Sequence, residues 1–230
     1  MTRPRLLDLF CGAGGAAAGY DAAGFEVIGV DINPQPHYPF KFIQDDAILH
    51  MAALLRDFEV FPYDAIHASP PCQAYTRKAA TWGRERKHFI DHPDLIVPTR
   101  HALELSEVPY VIENVPGAPI NAQVELCGTH FGLRIIKHRL FEANWPLPMP
   151  PATCDHRDVY NPWSGKGRSA DQLREAQGTP WIPMSGGASR KAGVTGDLFN
   201  AIPPRYTEWI GNALRSYLFE TKRRVGRDAA

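Results

Sequence analysis

Strand-like and helix-like segments alternate through the first 142 residues, and this alternation constrains the fold more than any other feature of the chain. Short apolar runs at residues 6–10 and 27–31 flank a helix-favouring segment at residues 16–23, which ends at Gly24. Strands that alternate with helices form a parallel sheet with helices on both faces, so the sequence predicts an α/β fold. The other predicted strands are residues 40–43, 64–69 and 109–114, and the other predicted helices are residues 48–58 and 95–105.

The character of the sequence changes after residue 142. Residues 144–183 are rich in proline, glycine and tryptophan, and the prolines at positions 146, 148, 150 and 151 are typical of an extended linker. Helical periodicity returns at residues 207–219, and the basic segment at residues 222–224 is expected to fray. The sequence therefore predicts a first domain at residues 1–142, a small irregular insert at residues 143–199 and a C-terminal helix at residues 200–230 that returns to the first domain.

Charge and cysteine content narrow the possible partners and the compartment. The 230 residues include 25 Lys and Arg and 25 Asp and Glu, so the formal net charge is zero. A protein that binds nucleic acid through phosphate contacts alone is usually basic, although a local basic face is enough to bind DNA. Four scattered cysteines do not resemble a disulfide framework and favour a reducing cytoplasm. The first predicted strand begins too early for a signal peptide, and no apolar run approaches the ~20 residues that span a membrane, so we expect no membrane partner.

A glycine-rich turn follows the first predicted strand. Residues 8–15 read Asp-Leu-Phe-Cys-Gly-Ala-Gly-Gly and lead into the first predicted helix. Glycines in such a turn let the backbone approach a ligand closely, and an acidic residue that ends the next strand, here Asp31, can bind ribose hydroxyls. A tight strand–helix turn with a capping Asp explains the same residues without a ligand, so the turn by itself leaves both interpretations open.

Two further polar side chains are predicted at the carboxyl ends of strands. Residues 69–73 read Ser-Pro-Pro-Cys-Gln, and the two prolines fix the backbone as it leaves the sheet, where folds of this class bind ligands. Cys72 is therefore a candidate nucleophile, with a small buried hydrophobe as the alternative. Glu113 follows an apolar strand and can point into the same cleft as a candidate acid, with a structural carboxylate as the alternative.

Several motifs in one order give the chain a resemblance to the DNA cytosine-5 methyltransferases. The glycine-rich turn resembles the first motif of that family, and residues 69–73 and 113–115 resemble its nucleophile and acid motifs. The resemblance implies a Rossmann-like, S-adenosylmethionine-dependent methyltransferase fold, in which residues 1–142 form the catalytic, cofactor-binding domain and residues 143–199 a small target-recognition insert. The other matching segments are residues 29–34, 44–47, 128–133, 138–141 and 210–213.

The resemblance implies transfer of a methyl group from S-adenosylmethionine to C5 of cytosine in DNA. Cys72 would attack C6 of a base that is flipped out of the duplex, because a thiol is partly ionised and strongly nucleophilic near neutral pH. Glu113 would hold the proton at N3, and Arg139 would bind the O2 oxygen. The residues that the resemblance assigns to the cofactor are Phe10, Gly12, Gly14, Gly15, Asp31, Ile32, Asp46, Pro71 and Asn212.

The chain departs from the family in the arginine motif, which the family usually writes Gln-x-Arg-x-Arg. The second Arg is kept as Arg139, whereas the first is Lys137 and the Gln is replaced by Ile135. The contact with the base is therefore expected from Arg139 alone. Because the insert is short, the same chemistry on RNA or on a free cytosine nucleotide is an alternative. A catalytically degenerate relative that binds DNA is another.

Basic residues near Cys72 and in the insert are candidates for DNA contacts. Residues 74–88 are predicted to form a loop that closes over phosphates, with a solvated charged helix as the alternative. The expected partner is double-stranded DNA, bound by a monomer in the cytoplasm of a bacterium or of a phage-infected host. The candidates are Arg77, Lys78, Arg84, Arg86, Lys87, Arg168, Arg190 and Lys191.

Four residues in two short pairs have side chains that bind zinc in proteins. Cys127 with His130 and Cys154 with His156 would together supply four ligands, although the spacing of the second pair is tight. Core cysteines and surface histidines account for the same residues. We adopt that interpretation and predict no metal site.

Overall fold

One seven-stranded sheet organises the part of the chain that the computed structural model describes, namely residues 2–75, 94–157, 159, 170–183 and 197–228. The strands are β1 (Arg5–Leu9), β2 (Glu26–Asp31), β3 (Lys41–Gln44), β4 (Ala65–Ala68), β5 (Tyr110–Asn114), β6 (Val124–Leu126) and β7 (Arg139–Ala143). Their order across the sheet is β3–β2–β1–β4–β5–β7–β6. The first five strands pair in parallel, whereas β7 runs antiparallel to both of its neighbours.

Helices pack on both faces of this sheet, as the alternating pattern predicts. They are α1 (Gly15–Ala22), α2 (Ala47–Asp57), α3 (Ile96–Leu105), α4 (Ala170–Gln177), α5 (Asp197–Asn200) and α6 (Pro204–Asp228), with short 3-10 turns at Gln73–Tyr75 and Gly128–Phe131. Among the described helices, none combines the length and the apolar composition that a membrane span requires.

Successive side chains of β1 enter two hydrophobic cores on opposite faces of the sheet. Leu6 belongs to the core that contains Tyr20 of α1 and Ile210 of α6. Leu7 belongs to the core that contains Met51 of α2. Burial of one such large apolar side chain contributes roughly 1.5–3 kcal/mol, so the two cores fix β1 at the centre of the fold. Helix α6 therefore packs against β1 and α1.

Small residues let α1 and α6 pack closely. A Cβ atom at Gly19 would lie 2.1 Å from the carbonyl oxygen of Pro204 and 2.1 Å from Oγ1 of Thr207, so no larger residue fits there. The Thr207 hydroxyl donates a hydrogen bond of 2.8 Å to the carbonyl oxygen of Ala16. This contact fixes the beginning of α6, and the segment immediately before it reaches the cavity described below.

The predicted strands and helices of the first 114 residues are all present, and their ends move by one residue at most. The sequence pattern did not predict β6 and β7. Strand β6 has three residues, and β7 contains the buried charged residues Arg139 and Glu142, which conceal its apolar character. Helix α6 extends at both ends beyond residues 207–219, where the sequence shows helical periodicity, and lies within the predicted C-terminal segment 200–230. Residues 222–224, which were expected to fray, are helical, and Lys222 Nζ lies 2.8 Å from Asp64 Oδ1.

The described parts of the predicted insert pack against the first domain. Leu173 and Ile182 form a small hydrophobic cluster with Ala13 and Ile135. The indole N–H of Trp181 donates a hydrogen bond of 3.0 Å to the carbonyl oxygen of Ala13, within the glycine-rich turn. The boundaries of the insert stay a prediction, but this packing ties part of it to the turn that the sequence analysis assigns to the cofactor.

Candidate active site

A cavity of about 280 Å³ lies at the carboxyl ends of the parallel strands. The strand order reverses between β1 and β4, and α/β sheets bind ligands at such a switch point because the loops on its two sides diverge. Phe10 follows β1 and Asp31 ends β2, whereas Cys72 follows β4 and Glu113 lies near the end of β5. Arg139, at the start of β7, lines the same cavity. The structure thus brings the three predicted catalytic residues together with the glycine-rich turn.

The loop that carries Cys72 is held by hydrogen bonds to two neighbouring strands. The N–H of Ser69 donates to the carbonyl oxygen of Leu9 over 3.1 Å. The buried side chain of Asn114 donates from Nδ2 to the carbonyl oxygen of Pro70 over 3.0 Å. Because both bonds precede Cys72 directly, its free, half-buried thiol occupies a defined place in the cavity wall.

The pairing of β5 with β7 places a carboxylate against a guanidinium. Glu113 is in register with Phe141, two residues after Arg139, so residues 139 and 141 share one face of β7. Arg139 Nε lies 2.9 Å from Glu113 Oε1, and both side chains are buried. A second nitrogen of the guanidinium, Nη1, donates to the carbonyl oxygen of His138 over 2.8 Å. The guanidinium is therefore fixed from two sides.

The groups around Cys72 shift the pKa of its thiol in opposite directions. Burial and the negative charge of Glu113 raise the pKa of Cys72, whereas the positive charges of Arg139 and Lys137 lower it, and the net direction is upward. Burial also raises the pKa of Glu113, although Arg139, a hydrogen bond with Ser69 and Lys137 oppose that rise. A carboxyl group with a raised pKa can retain or share a proton near neutral pH, which a general acid requires.

At the other end of the cavity, the glycine-rich turn adopts backbone conformations that few residues favour. Phe10 has a φ of 56° and Gly12 a φ of 48°, and a Cβ atom at Gly12 would meet no atom within 4 Å. The carboxylate of Asp31 accepts a hydrogen bond of 3.0 Å from the N–H of Gly12 and one of 2.9 Å from the N–H of Asn33. The next residue, Ile32, is 63% exposed beside the cavity, so an apolar surface faces the space that a ligand would fill.

Asp8 also belongs to this site, although it was not among the residues predicted from the sequence. It is buried in the cavity wall, and its Oδ1 atom has no hydrogen-bond partner among the described residues. The hydroxyl of Tyr38 donates to Oδ2 over 3.3 Å. Burial raises the pKa of Asp8 to about 8, against the hydrogen bond from Tyr38, and the charges of Asp31 and Glu113 add to the rise. The sequence signal that could have identified Asp8 is a charged residue near the end of an otherwise apolar strand.

The raised pKa of Asp8 predicts a stability that falls as the pH rises. Between about pH 4 and pH 8 the folded protein holds a proton on Asp8 that the unfolded chain has lost, so this contribution is complete below that range and is lost above it. Asp8→Asn cannot ionise. The free energy of unfolding of Asp8→Asn, measured by urea titration without cofactor, should therefore rise relative to that of the wild type by about 1 kcal/mol for each pH unit across this range. The exposed Glu59→Gln is the matched control, and an equal pH dependence in all three proteins would contradict the prediction.

Three of the predicted cofactor residues do not reach the cavity wall. Gly14 lies behind the turn, where a Cβ atom would be 2.8 Å from Cδ of Pro39. Asp46 caps α2, because its Oδ1 accepts hydrogen bonds from two backbone N–H groups of the first turn. Asn212 is exposed on α6. The other predicted cofactor residues line the cavity, namely Phe10, Gly12, Gly15, Asp31, Ile32 and Pro71.

The structure adds cavity residues that could not be found from the sequence. The segment that leads into α6 contributes Asp197, Asn200, Ala201 and Ile202 to the cavity wall. No sequence signal marks them, because only the packing of α6 on α1 brings the segment there. The predicted DNA-contact residues lie outside the described part of the chain; they are Arg77, Lys78, Arg84, Arg86, Lys87, Arg168, Arg190 and Lys191.

The two departures from the family's arginine motif have structural roles. Lys137 is buried, and its Nζ donates to Oε1 of Gln177 over 3.1 Å, to the carbonyl oxygen of Phe199 over 3.0 Å and to that of Ala201. Ile135 is fully buried in the cluster formed with the predicted insert. Both residues therefore join the segment before β7 to the insert and to the segment before α6, and the cavity receives Arg139 alone from this motif.

Comparison with known proteins agrees with this arrangement. The family model for C-5 cytosine-specific DNA methylases matches residues 4–118, which is half of the chain. The chain belongs to this family. The matched part of the methylase contains the glycine-rich turn, Cys72 and Glu113, whereas Arg139 lies beyond it. The cofactor of the family is S-adenosylmethionine.

Individual relatives are more distant. Type II methyltransferase M.XorII of Xanthomonas oryzae pv. oryzae is 28% identical over a match that covers 52% of this chain and 30% of the relative, so the chain spans less than a third of that relative's length. The S. pombe Dnmt2 methyltransferase superposes with a TM-score of 0.55 at 15% identity, covering 94% of this chain and 99% of that one. The Entamoeba histolytica methyltransferase EhMeth gives 0.52 at 10% identity, covering 96% and 99%. These two likenesses confirm the predicted Rossmann-like methyltransferase fold.

The residues around the cavity fit the cofactor of the methylase family. The Asp31 carboxylate at the end of β2 suits a pair of ribose hydroxyls, and the exposed Ile32 offers an apolar face to a ring. The backbone at Gly12 leaves open space where a side chain would stand. Asp8 supplies a buried acceptor oxygen without a partner among the described residues, which suits a ligand that carries N–H donors.

Proposed function

We propose that this protein transfers a methyl group to C5 of cytosine in DNA and that Cys72 forms a transient covalent bond with C6 of the base. The observation that carries the proposal is the sharing of one cavity. Cys72, Glu113 and Arg139 line the same space as the glycine-rich turn and Asp31, which suit the cofactor. A methyl donor and an activated base would therefore be bound next to each other in one cavity.

Cys72 is the nucleophile in this proposal. C5 of cytosine is a poor nucleophile, and addition of a thiolate to C6 gives C5 the electron density of an enamine. Loss of the C5 proton after methylation then expels the thiolate and restores the ring. The hydrogen bonds that fix Ser69 and Pro70 support this role, because they hold the thiol at the cavity wall before any substrate binds.

Glu113 and Arg139 control the charge on the base. Glu113 would hold a proton at N3, so that negative charge does not build up on the ring when the thiolate adds, and its raised pKa supports this role. Arg139 would bind the O2 oxygen, and its contacts with Glu113 and with the carbonyl oxygen of His138 preorganise the guanidinium. Preorganised charge of this kind stabilises a transition state without reorganisation during the reaction.

The cofactor end of the cavity is assigned to the turn and to the ends of β1 and β2. S-adenosylmethionine, when bound, supplies an electrophilic methyl group on a sulfonium centre. Asp31 would hold the ribose, and Ile32 would cover the adenine. Phe10 and Gly12 would bring the backbone close to the methionine part.

Double-stranded DNA is the proposed substrate, and residues 143–199 are the proposed target-recognition insert. The match to the C-5 cytosine-specific DNA methylases and the type II methyltransferase relative support DNA. A base inside a duplex cannot reach a cavity of this kind, so the proposal requires the cytosine to flip out, at a cost of a few kcal/mol.

The test is transfer of the labelled methyl group of S-adenosylmethionine to three acceptors in parallel. Duplex DNA that contains all cytosine contexts should become labelled, and nuclease digestion should place the label in 5-methylcytosine. RNA and free dCMP should take up less than about a tenth as much label per cytosine. Label confined to RNA or dCMP would overturn the choice of substrate, and absence of label in all three, with the cofactor bound, would overturn the proposed activity.

A further inference from the structure

Two cysteines and two histidines from three separate segments converge outside the cavity. The ligand atoms of Cys127, His138, Cys154 and His156 all lie within 4.8 Å of one another. Cys127 is buried at the end of β6, whereas Cys154 and His156 belong to an exposed segment without helix or strand. We propose that these four side chains bind one zinc ion.

The β6–β7 hairpin prepares the first two ligands. The register pairs Leu126 with Arg139, and continuation of this antiparallel ladder by one step places Cys127 opposite His138. From the sequence, His130 was the candidate for this role because it follows Cys127 closely. Instead, Nδ1 of His130 accepts a hydrogen bond of 3.3 Å from the N–H of Cys127, and His138 provides the ligand nitrogen. Only the strand pairing, which the sequence pattern did not predict, identifies His138.

The distances between ligand atoms are close to those of a tetrahedral zinc site. With Zn–S near 2.3 Å and Zn–N near 2.05 Å, the edges of the tetrahedron are about 3.3–3.8 Å long. Cys127 Sγ lies 3.5 Å from His156 Nε2, Cys154 Sγ lies 3.7 Å from His138 Nε2, and the two Nε2 atoms are 3.1 Å apart. The distance of 2.7 Å between Cys154 Sγ and His156 Nε2 would lengthen by roughly 0.8 Å.

The groups around the cluster support metal binding independently of the four ligands. Nδ1 of His138 lies 2.5 Å from Oε1 of Glu125, which fixes the ring so that Nε2 faces the cluster. Zinc-bound histidines commonly make this contact with a carboxylate. The hydroxyl of Thr129 lies 3.4 Å from the sulfur atoms of both Cys127 and Cys154 and can donate to a thiolate.

Four protein ligands leave no position for a substrate, so the proposed zinc is structural. It would join the end of β6, the start of β7 and the irregular segment that contains Cys154. Arg139 follows His138 directly and points into the cavity. The zinc would therefore also fix the backbone from which Arg139 reaches Glu113, although the metal takes no part in the reaction.

The metal content of the whole chain, purified without a histidine tag from zinc-supplemented medium, tests the proposal. We expect about one zinc per chain in the wild type and less than about 0.2 in Cys154→Ser and in His138→Ala. Cys72→Ser and His101→Ala replace a cysteine and a histidine outside the cluster and should keep the full zinc content. Because Cys154 is exposed, its replacement leaves the hydrophobic cores intact.

Two further measurements use only the wild-type protein, so their outcome does not depend on whether a variant folds. Cobalt(II) exchanged for zinc should give the intense visible absorption of tetrahedral thiolate coordination. Removal of zinc with a chelator should lower Tm by at least about 5 °C, and added zinc should restore it. Wild-type protein without zinc after reconstitution, octahedral cobalt, full zinc content in Cys154→Ser, or a disulfide between Cys127 and Cys154 in freshly purified protein would each overturn the proposal.

Discussion

Replacement of Cys72 by serine is expected to reduce methyl transfer at least roughly 10³-fold and to leave the affinity for S-adenosylmethionine within about twofold of the wild type. A serine hydroxyl is far less ionised than a thiol at neutral pH and adds poorly to C6. The side chain is nearly the same size, and the hydrogen bonds of Ser69 and Pro70 that fix the loop involve backbone groups which the substitution keeps. The loss should therefore appear in kcat and not in cofactor binding.

Trapping of the covalent bond distinguishes a nucleophile from a residue that only shapes the cavity. DNA with 5-fluorocytosine in place of cytosine lacks the C5 proton that must leave, so the adduct should persist through denaturing electrophoresis with the wild type. Cys72→Ser should form no such adduct, whereas His101→Ala, which changes an exposed side chain of α3 outside the cavity, should form it. Serine protein that retains the adduct or a tenth of the wild-type rate would remove Cys72 from the proposed mechanism.

The position of Cys72 and Glu113 could be predicted from the sequence because it depends on local signals. Short apolar runs that end in Ser-Pro-Pro-Cys and in Glu-Asn identify strands and their carboxyl ends, and parallel strands bring those ends to one edge of the sheet. The glycine-rich turn is equally local, since the positive φ of Gly12 is a property of the turn itself. The order of the motifs along the chain then indicated the family.

The remaining features depend on contacts between distant segments. Lys137 and Ile135 looked like losses from a family motif, and only the packing of Gln177 and Leu173 against them gives each a role. The ladder that sets Cys127 opposite His138 was likewise hidden by the buried charges of β7. Asp46 shows that a local signal can have two explanations. Its place in the order of the motifs assigned it to the cofactor, but an Asp directly before a helix also acts as a helix cap, and Asp46 has that role in the structure.

Glu113→Gln should have opposite effects on thiol reactivity and on methyl transfer. Glu113 is the charge that most strongly raises the pKa of Cys72, and its loss also frees Arg139, which lowers that pKa. More thiolate would therefore be present at pH 8, and alkylation of Cys72 by iodoacetamide in the free protein should accelerate about three- to tenfold. Methyl transfer should fall about 10²-fold, because glutamine cannot hold an ionisable proton at N3. In the wild type, the alkylation rate should still be rising with pH above the range in which an ordinary thiol titrates.

Glu142→Gln is the matched control for this variant. Glu142 is also a buried carboxylate of the sheet with an arginine partner, since its Oε1 accepts a hydrogen bond of 2.6 Å from Nε of Arg100, but it does not line the cavity. Its replacement should lower stability and leave the alkylation of Cys72 unchanged. If Glu113→Gln reduced both rates together, the simplest cause would be a displaced Cys72 loop, and the assignment of Glu113 as the acid would fail. A slower methyl transfer with faster alkylation separates the two roles, because a more reactive thiol cannot compensate for a base whose ring charge is no longer neutralised.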